Sequence, residues 1–296
     1  MRAIIVDAFT RSPGSGNRAG IIPDAAPLDE KAMQRAATAI AAAETAFVLP
    51  PPEGATVRLR YFTPGDEIPF CGHATVATFH WLAETGALAV PGRHTLDCPA
   101  GRFEIDLERE AGGGCRVWMS TPRHPFEPGP IAGATLFGLL GGTLGMRDQD
   151  LPIERAGRHL YIPIKRRSDL WSLMPQWDAL VAEGERHAIR GFYAFTRDAI
   201  EPGSVFHGRY FAPSFGVRED PVTGSAIGPL VEYLARYGVM PLPAGGGTVR
   251  GRAEQGDAMG KPGRPELEVT GTPEKITGVR VGGLAVTVLE GNLRLV

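Results

Sequence analysis

Glu44 lies in the stretch AAAETAFVL, and no other charged residue falls between Arg35 and Glu53. An acid set among apolar residues, close behind an Ala-rich helix whose C-terminal dipole disfavours an anion, is expected to hold its proton more tightly than a solvated Glu. That would suit general acid/base work near neutral pH. A second group stands in PFCGHATVAT, where Cys71, Gly72, His73 and Ala74 occupy the passage from a loop into an apolar helical pattern. A histidine in a first helical turn is expected to stay neutral and to exchange hydrogen bonds rather than charge. A third stands in REDPVTGSAIGP, where Asp220 precedes Pro221, and Gly224, Ser225 and Ala226 open another helical run.

The second and third groups echo each other. RYFTPGDEIPFCGHAT begins at Arg60 and RYFAPSFGVREDPVTGSA at Arg209, and Cys71, Gly72 and His73 align with Thr223, Gly224 and Ser225. The first amides of a helix have no internal acceptor and carry the positive end of the dipole. Two such helix starts directed at one cleft would cradle a carboxylate or an enolate-like oxyanion. A single Gly-small pair is ordinary turn chemistry; two copies with polar residues at matched places point to a site.

Such a site needs elements to carry it. The Ala-rich run 30–43 reads as a helix capped by Asp24 or Asp29, and 73–86 as a second helix closed by Gly86. GSAIGPLVEYLARYG reads as a third, with Ile227, Leu230, Val231, Leu234 and Tyr237 on its apolar face. A fourth is expected near 175–187. MRAIIVDAF, IIP, TAFVLPP, TVRLRYFTP, HTLDCPAGRFEIDLER, GGCRVWMSTP, HLYIPI, GFYAFTR, RYFAP and the tail read as short strands. Pro and Gly cluster over 121–133, so the chain divides there. The expected lobes are 1–121, with 284–296 able to cross back to it, and 122–283.

Composition narrows the class. At 296 residues the chain can hold two lobes with cores. A formal net charge of −2 offers nothing for nucleic acid or an anionic membrane. The N-terminus reads as a strand rather than a signal peptide, and no apolar segment is long enough to span a bilayer. Cys71, Cys98 and Cys115 are odd in number and lack metal-type spacing, so no metal is expected, and free thiols suit the cytoplasm. Two-thiol racemisation would need a cysteine at both matched positions, and position 223 holds threonine.

Taken together, SGN, ETAFV, EIPFCGHAT, REDPVTGSA and the late QG…MGKPG resemble the PhzF-like family of phenazine-biosynthesis-type isomerases over essentially the whole chain. The resemblance implies an α+β, diaminopimelate-epimerase-like fold of two pseudo-symmetric lobes, each a rolled sheet around a central helix, with the active site between them. It implies a cofactor-independent isomerase that moves a proton between carbons of a small carboxylate-bearing, possibly cyclic, substrate. Glu44 would be the acid/base and His73 and Asp220 its catalytic companions, with Gly72, Ala74, Gly224, Ser225 and Ala226 binding substrate. A homodimer is the implied assembly. The run Ala41–Ala43 departs from the Asn-Leu-Ser-like segment of many relatives, which bears on the substrate more than on the reaction. The alternatives are an amino-acid racemase or epimerase of the same fold and a non-catalytic carboxylate-binding protein.

Overall fold

The computed structural model describes residues 1–111 and 113–295, with Phe215 described by its backbone alone. The chain divides into two compact units: Met1–Ser120 together with the segment from Arg280 onward, and Thr121–Val279.

The first unit contains β1 (Arg2–Ala8), β2 (Asn17–Ile22), α1 (Glu30–Ile40), β3 (Glu44–Leu49), β4 (Val57–Phe62), β5 (Glu67–Ile68), α2 (Gly72–Glu84), β6 (Gly92–Cys98), β7 (Gly101–Arg109) and β8 (Cys115–Ser120). The second contains β9 (Phe126–Pro128), α3 (Gly133–Leu139), β10 (Glu154–Ala156), β11 (His159–Pro163), α4 (Arg167–Ser172), α5 (Trp177–Arg186), β12 (Gly191–Thr196), β13 (Ser204–Ala212), β14 (Val217–Asp220), α6 (Gly224–Arg236), β15 (Gly247–Gln255) and β16 (Glu266–Gly271). β17 (Ile276–Gly283) and β18 (Ala285–Asn292) follow, and β18 pairs antiparallel with β1.

One pairing pattern is used twice. In the first unit β1 and β2 are antiparallel, β2 and β3 parallel across α1, β3 and β4 antiparallel, β4 and β5 antiparallel, and β4 and β6 parallel across α2. In the second, β10 and β11, β12 and β13, and β13 and β14 are antiparallel, while β11 with β12 and β13 with β15 are parallel. α6 falls between β14 and β15, as α2 falls between β5 and β6.

Each sheet is covered on both faces. α2 is buried from Gly72 to Trp81 and touches β1, β2, β3, β8 and β18, as befits a helix apolar all round. On the other face α1 sets Met33, Ala36 and Ala37 against Ile22, Phe47 and Phe62. In the second unit α6 buries Ile227, Leu230, Val231 and Leu234 completely, but Tyr237 stands 37% exposed, so it is not part of the buried face expected for it. The outer face packs α3, α4 and α5 through Leu136, Phe137, Leu170 and Leu180 onto Phe192, Ala194 and Phe211. Burial on both faces explains why GFYAFT reads as a continuous apolar run instead of an alternating one.

Local signals set most boundaries. Asp29, not Asp24, caps α1 through the Ala32 amide at 2.7 Å. The helix stops at Ile40, earlier than the Ala run suggests, because Ala41 turns left-handed at φ 54°. Gly86 closes α2 at φ 76°. β2 begins at Asn17, inside what the turn residues SPGSGNRAG mark as a loop, because it pairs with both β1 and β3. α3 and α4 have no counterpart in the sequence reading: they are short, and tertiary packing rather than capping sustains them.

Candidate active site

Glu44 is the first residue of β3 and His73 the second of α2, and the fold of the first unit brings them together. Glu44 Oε2 lies 3.1 Å from His73 Nε2. The contact is at ion-pair distance, and Oε2 is buried. The other ring nitrogen, Nδ1, lies 3.2 Å from the side-chain amide nitrogen of Asn17, the first residue of β2. Cys71 Sγ closes the group, 3.4 Å from Nδ1 and 3.9 Å from Nε2. Glu44, Cys71 and His73 therefore offer oxygen, sulfur and nitrogen atoms all within 4.8 Å of one another, a donor set that could hold a metal ion despite the absence of metal-type spacing in the sequence.

The electrostatics differ from the expectation of a neutral histidine. Burial works against the His73 imidazolium, but Cys71 and Glu44 more than offset it, and the pKa is raised well above 6.5. Burial pushes the Cys71 thiol up, so at neutral pH it is a thiol and not a charge. This differs from the sequence expectation of an unshifted neutral histidine: the Cys71 sulfur and the Glu44 carboxylate raise the pKa against burial.

Cys71 is the N-cap of α2, and its side chain makes no capping hydrogen bond to the first turn. Thr75 instead turns its hydroxyl back to the Cys71 carbonyl at 2.7 Å and pairs with the Tyr61 hydroxyl. The helix start is thereby fixed.

The second unit holds Asp220 at the end of β14, with Gly224, Ser225 and Ala226 opening α6; Thr223 is the N-cap, and again no side chain caps the amides. Thr223 Oγ1 donates to Asp220 Oδ2. Behind this turn sits fully buried Gln255, which the sequence reading singled out only within the QG motif. Its Nε2 donates to the Asp220 carbonyl at 2.8 Å, and its Oε1 accepts from the Tyr193 hydroxyl at 2.8 Å and the Thr223 amide at 3.3 Å. Gly256 follows at φ 92°, where a Cβ would lie 2.3 Å from the Lys261 carbonyl oxygen and 2.8 Å from that of Pro221. The motif is thus a brace for the turn that carries Asp220.

Register shows where the two halves part. Thr45 pairs with Phe62 as Phe192 pairs with Phe211, so the counterpart of Glu44 is Gly191. A Cβ at Gly191 would stand 1.9 Å from the Tyr210 hydroxyl. Tyr61 pairs with Ile68 as Tyr210 pairs with Asp220, so Asp220 answers to Ile68. Each half keeps the helix start and carries one acid that the other lacks. Cys98 and Cys115 are buried free thiols, as core residues. A surface cavity of ≈ 520 Å³ in the first unit, lined by Arg58, Arg60, Glu67 and Asp97 among others, includes none of Glu44, Cys71 and His73. Its Arg60 is already paired to Glu67 at 2.6 Å.

The doubled rolled sheet and the acid set beside an uncapped helix start define a diaminopimelate-epimerase-like fold. The chain belongs to the PhzC-PhzF family, phenazine biosynthesis-like proteins, whose pattern matches residues 6–291. It is 39% identical to an uncharacterized isomerase of Deinococcus radiodurans, over 97% of this chain and 92% of that one. It is 31% identical to the trans-2,3-dihydro-3-hydroxyanthranilate isomerase of Pseudomonas aeruginosa, over 99% of each chain. The crystal structure of a PhzF-family phenazine biosynthesis protein of Bacillus anthracis matches it with a TM-score of 0.91 at 30% identity, covering 100% of this chain and 99% of that one. The protein is an isomerase of this family. No helix among the described residues is long and apolar enough to cross a membrane.

Proposed function

We propose that the protein moves a proton between two carbons of a small carboxylate-bearing substrate, with Glu44 as the general acid/base. The observation that carries this reading is the Glu44–His73 pair at the uncapped start of α2, 3.1 Å apart, whose counterpart in the second unit has a glycine where Glu44 stands. A carboxylate takes a proton from one carbon, the double bond shifts, and the same carboxyl returns the proton to another carbon. Atoms balance without an external donor, so the reaction as proposed uses no organic cofactor. His73 positions the carboxylate, and the amides of Gly72 and Ala74 face the negative charge that develops on the substrate. Asp220, Gly224, Ser225 and Ala226 are proposed to bind and orient substrate. The relative in Pseudomonas aeruginosa, named for a dihydro-hydroxyanthranilate, makes a cyclic unsaturated acid the first substrate class to try.

Racemisation by two thiols has less support, because Cys71 is held as a thiol and its counterpart is Thr223. A homodimer in the cytoplasm is the proposed working form, to be checked by sedimentation and by fractionation. Glu44→Gln preserves the shape of the side chain and removes the proton carrier. Folding and ligand binding should survive, while turnover falls by roughly 10²-fold or more. Deuterium incorporation into substrate in heavy water is the readout, and near-full exchange in the variant would move the base elsewhere, with Asp220 next.

A further inference from the structure

We propose that the Trp171–His207 hydrogen bond is a pH-sensitive latch that holds α4 and, through Arg209, the strand end carrying Asp220. His207 lies on β13, completely buried, and α4 sets the Trp171 indole, 45% exposed, against it. Trp171 Nε1 stands 2.9 Å from His207 Nε2, and an indole N–H can only donate, so Nε2 carries a lone pair. The ring hydrogen is therefore on Nδ1, which donates to Glu254 Oε2 at 3.0 Å. Both partners are suited to a neutral imidazole of that one tautomer. Burial alone would raise the Glu254 carboxyl, but His207 and the amides of Ile200 and Glu201, which donate at 2.7 Å, bring it down to about 2. Glu254 thus stays a carboxylate across the range in which histidines gain charge. Asp257 Oδ2 stands 3.8 Å from Nδ1 and is paired with Arg264. Of the nearby cations, Arg209, two residues along β13, is engaged by Glu219, and Arg167 lies 5.8 Å over the Trp171 ring.

A proton from solvent can enter this imidazole only at Nε2, and it turns the acceptor of Trp171 into a second donor. Two N–H groups then face each other, the hydrogen bond is lost, and the new N–H needs water. Glu254 and Asp257 keep the imidazolium through Nδ1, so the indole is the partner that leaves. α4 has only six residues and depends on tertiary contacts to persist. The carbonyls of Leu170 and Leu173 at its C-terminal end accept from Arg209 Nη1 at 3.0 and 2.9 Å. The rest of the same guanidinium holds Glu219, the neighbour of Asp220. Release of Trp171 therefore loosens the anchor of Arg209 and, with it, the setting of Asp220. The consequence for activity rests on the reading of Asp220 given above, as a residue that binds and orients substrate.

The test follows the ring ¹⁵N signals of His207 and the indole N–H of Trp171, identified by its loss in Trp171→Phe, from about pH 8 to about pH 5. At the alkaline end His207 should be the Nδ1–H tautomer. As it charges, the Trp171 signal should shift with the same midpoint, and its solvent exchange and that of the α4 amides should quicken by roughly 10-fold. His207→Asn removes the titrating group and should abolish the step. Trp171→Phe removes the donor that favours the neutral ring, so His207 should charge at a higher pH there. That variant alters an exposed ring and decides the matter even if His207→Asn fails to fold. An Nε2–H tautomer, a His207 that stays neutral to the acid end, or a charged His207 with the Trp171 signal unmoved overturns the latch. So does an unmoved His207 titration in Trp171→Phe. If α4 opens while the amides of Glu219 and Asp220 keep their protection, the link through Arg209 is overturned. The turnover of Trp171→Phe divided by that of the unaltered protein cancels the ionisations of Glu44 and His73. This ratio should lie below one at the alkaline end and approach one once His207 is charged. If the latch opens as far as Asp220 and the ratio stays at one throughout, the latch stands and the orienting role of Asp220 is the one that falls.

Discussion

Burial and the dipole of α2 both push His73 toward its neutral form, and the Cys71 sulfur together with the Glu44 carboxylate raises its pKa against them. Its titration should therefore lie above 6.5, as ¹⁵N chemical shifts of its ring followed against pH would report. In Glu44→Gln its titration should move down, because the carboxylate is one of the two groups that raise it. A titration at or below 6.5 in the unaltered protein would sink this account. The sign for stability follows from a folded-state pKa raised above the unfolded one. The contribution of the His73 proton is complete below about 6.5 and fades as pH rises through the higher folded value. Glu44 and His73 were legible in sequence because each is conspicuous locally, one as an isolated charge and the other by its place in a helix start. Asn17 was not, since its contact with His73 joins residues 56 positions apart and depends on β2 lying against β3. The raised pKa of His73 is only partly legible for the same reason, because Glu44, one of the two groups that raise it, is a tertiary neighbour.

At the scale of elements, the repeated Arg-Tyr-Phe has a physical cause. Arg60 grips Glu67 through two hydrogen bonds of 2.6 Å, and Arg209 grips Glu219 through bonds of 2.9 and 2.8 Å. Each guanidinium also lies over the phenylalanine two residues on, Phe62 at 5.2 Å and Phe211 at 4.8 Å. The pair ties the strand before each helix to the acidic segment that leads into it, so the echo seen in sequence is one tie used twice. The brace behind the second helix start was less legible, because Gln255 reaches Asp220, Thr223 and Tyr193 only when β15 lies beside β13. Gln255→Leu keeps the volume and removes partners from the Tyr193 hydroxyl, the Thr223 amide and the Asp220 carbonyl. Each such loss costs about 1–3 kcal/mol, so urea unfolding should show a destabilisation of about 3 kcal/mol or more. A loss below about 1 kcal/mol would mean that the turn carrying Asp220 does not depend on Gln255.

The whole molecule joins a continuous unit to a discontinuous one. Residues 121–279 contain every strand of the second pairing pattern, whereas the first unit needs β18, the last strand of the chain, to pair with β1 along its length. That strand also brings Glu290 to the Trp81 indole at 2.9 Å and to Arg2 at 2.8 Å, and Thr287 to Glu84 at 2.6 Å. A contact of such sequence separation forms late and at high loop-closure entropy, so during synthesis the second unit can close before the first is complete. Deleting residues 284–296 leaves β17 in place and removes only β18. The backbone groups of β1 that face it then lose their partners, and one side of buried α2 loses its cover. Amide exchange should become fast in β1, β2 and α2, while β12, β13 and α6 keep their protection. Turnover should be lost with it, because Asn17, Glu44 and His73 are held by those strands and that helix. If β1 and α2 stayed protected in the truncated chain, β18 would be a dispensable cover and the first unit would be complete by residue 283.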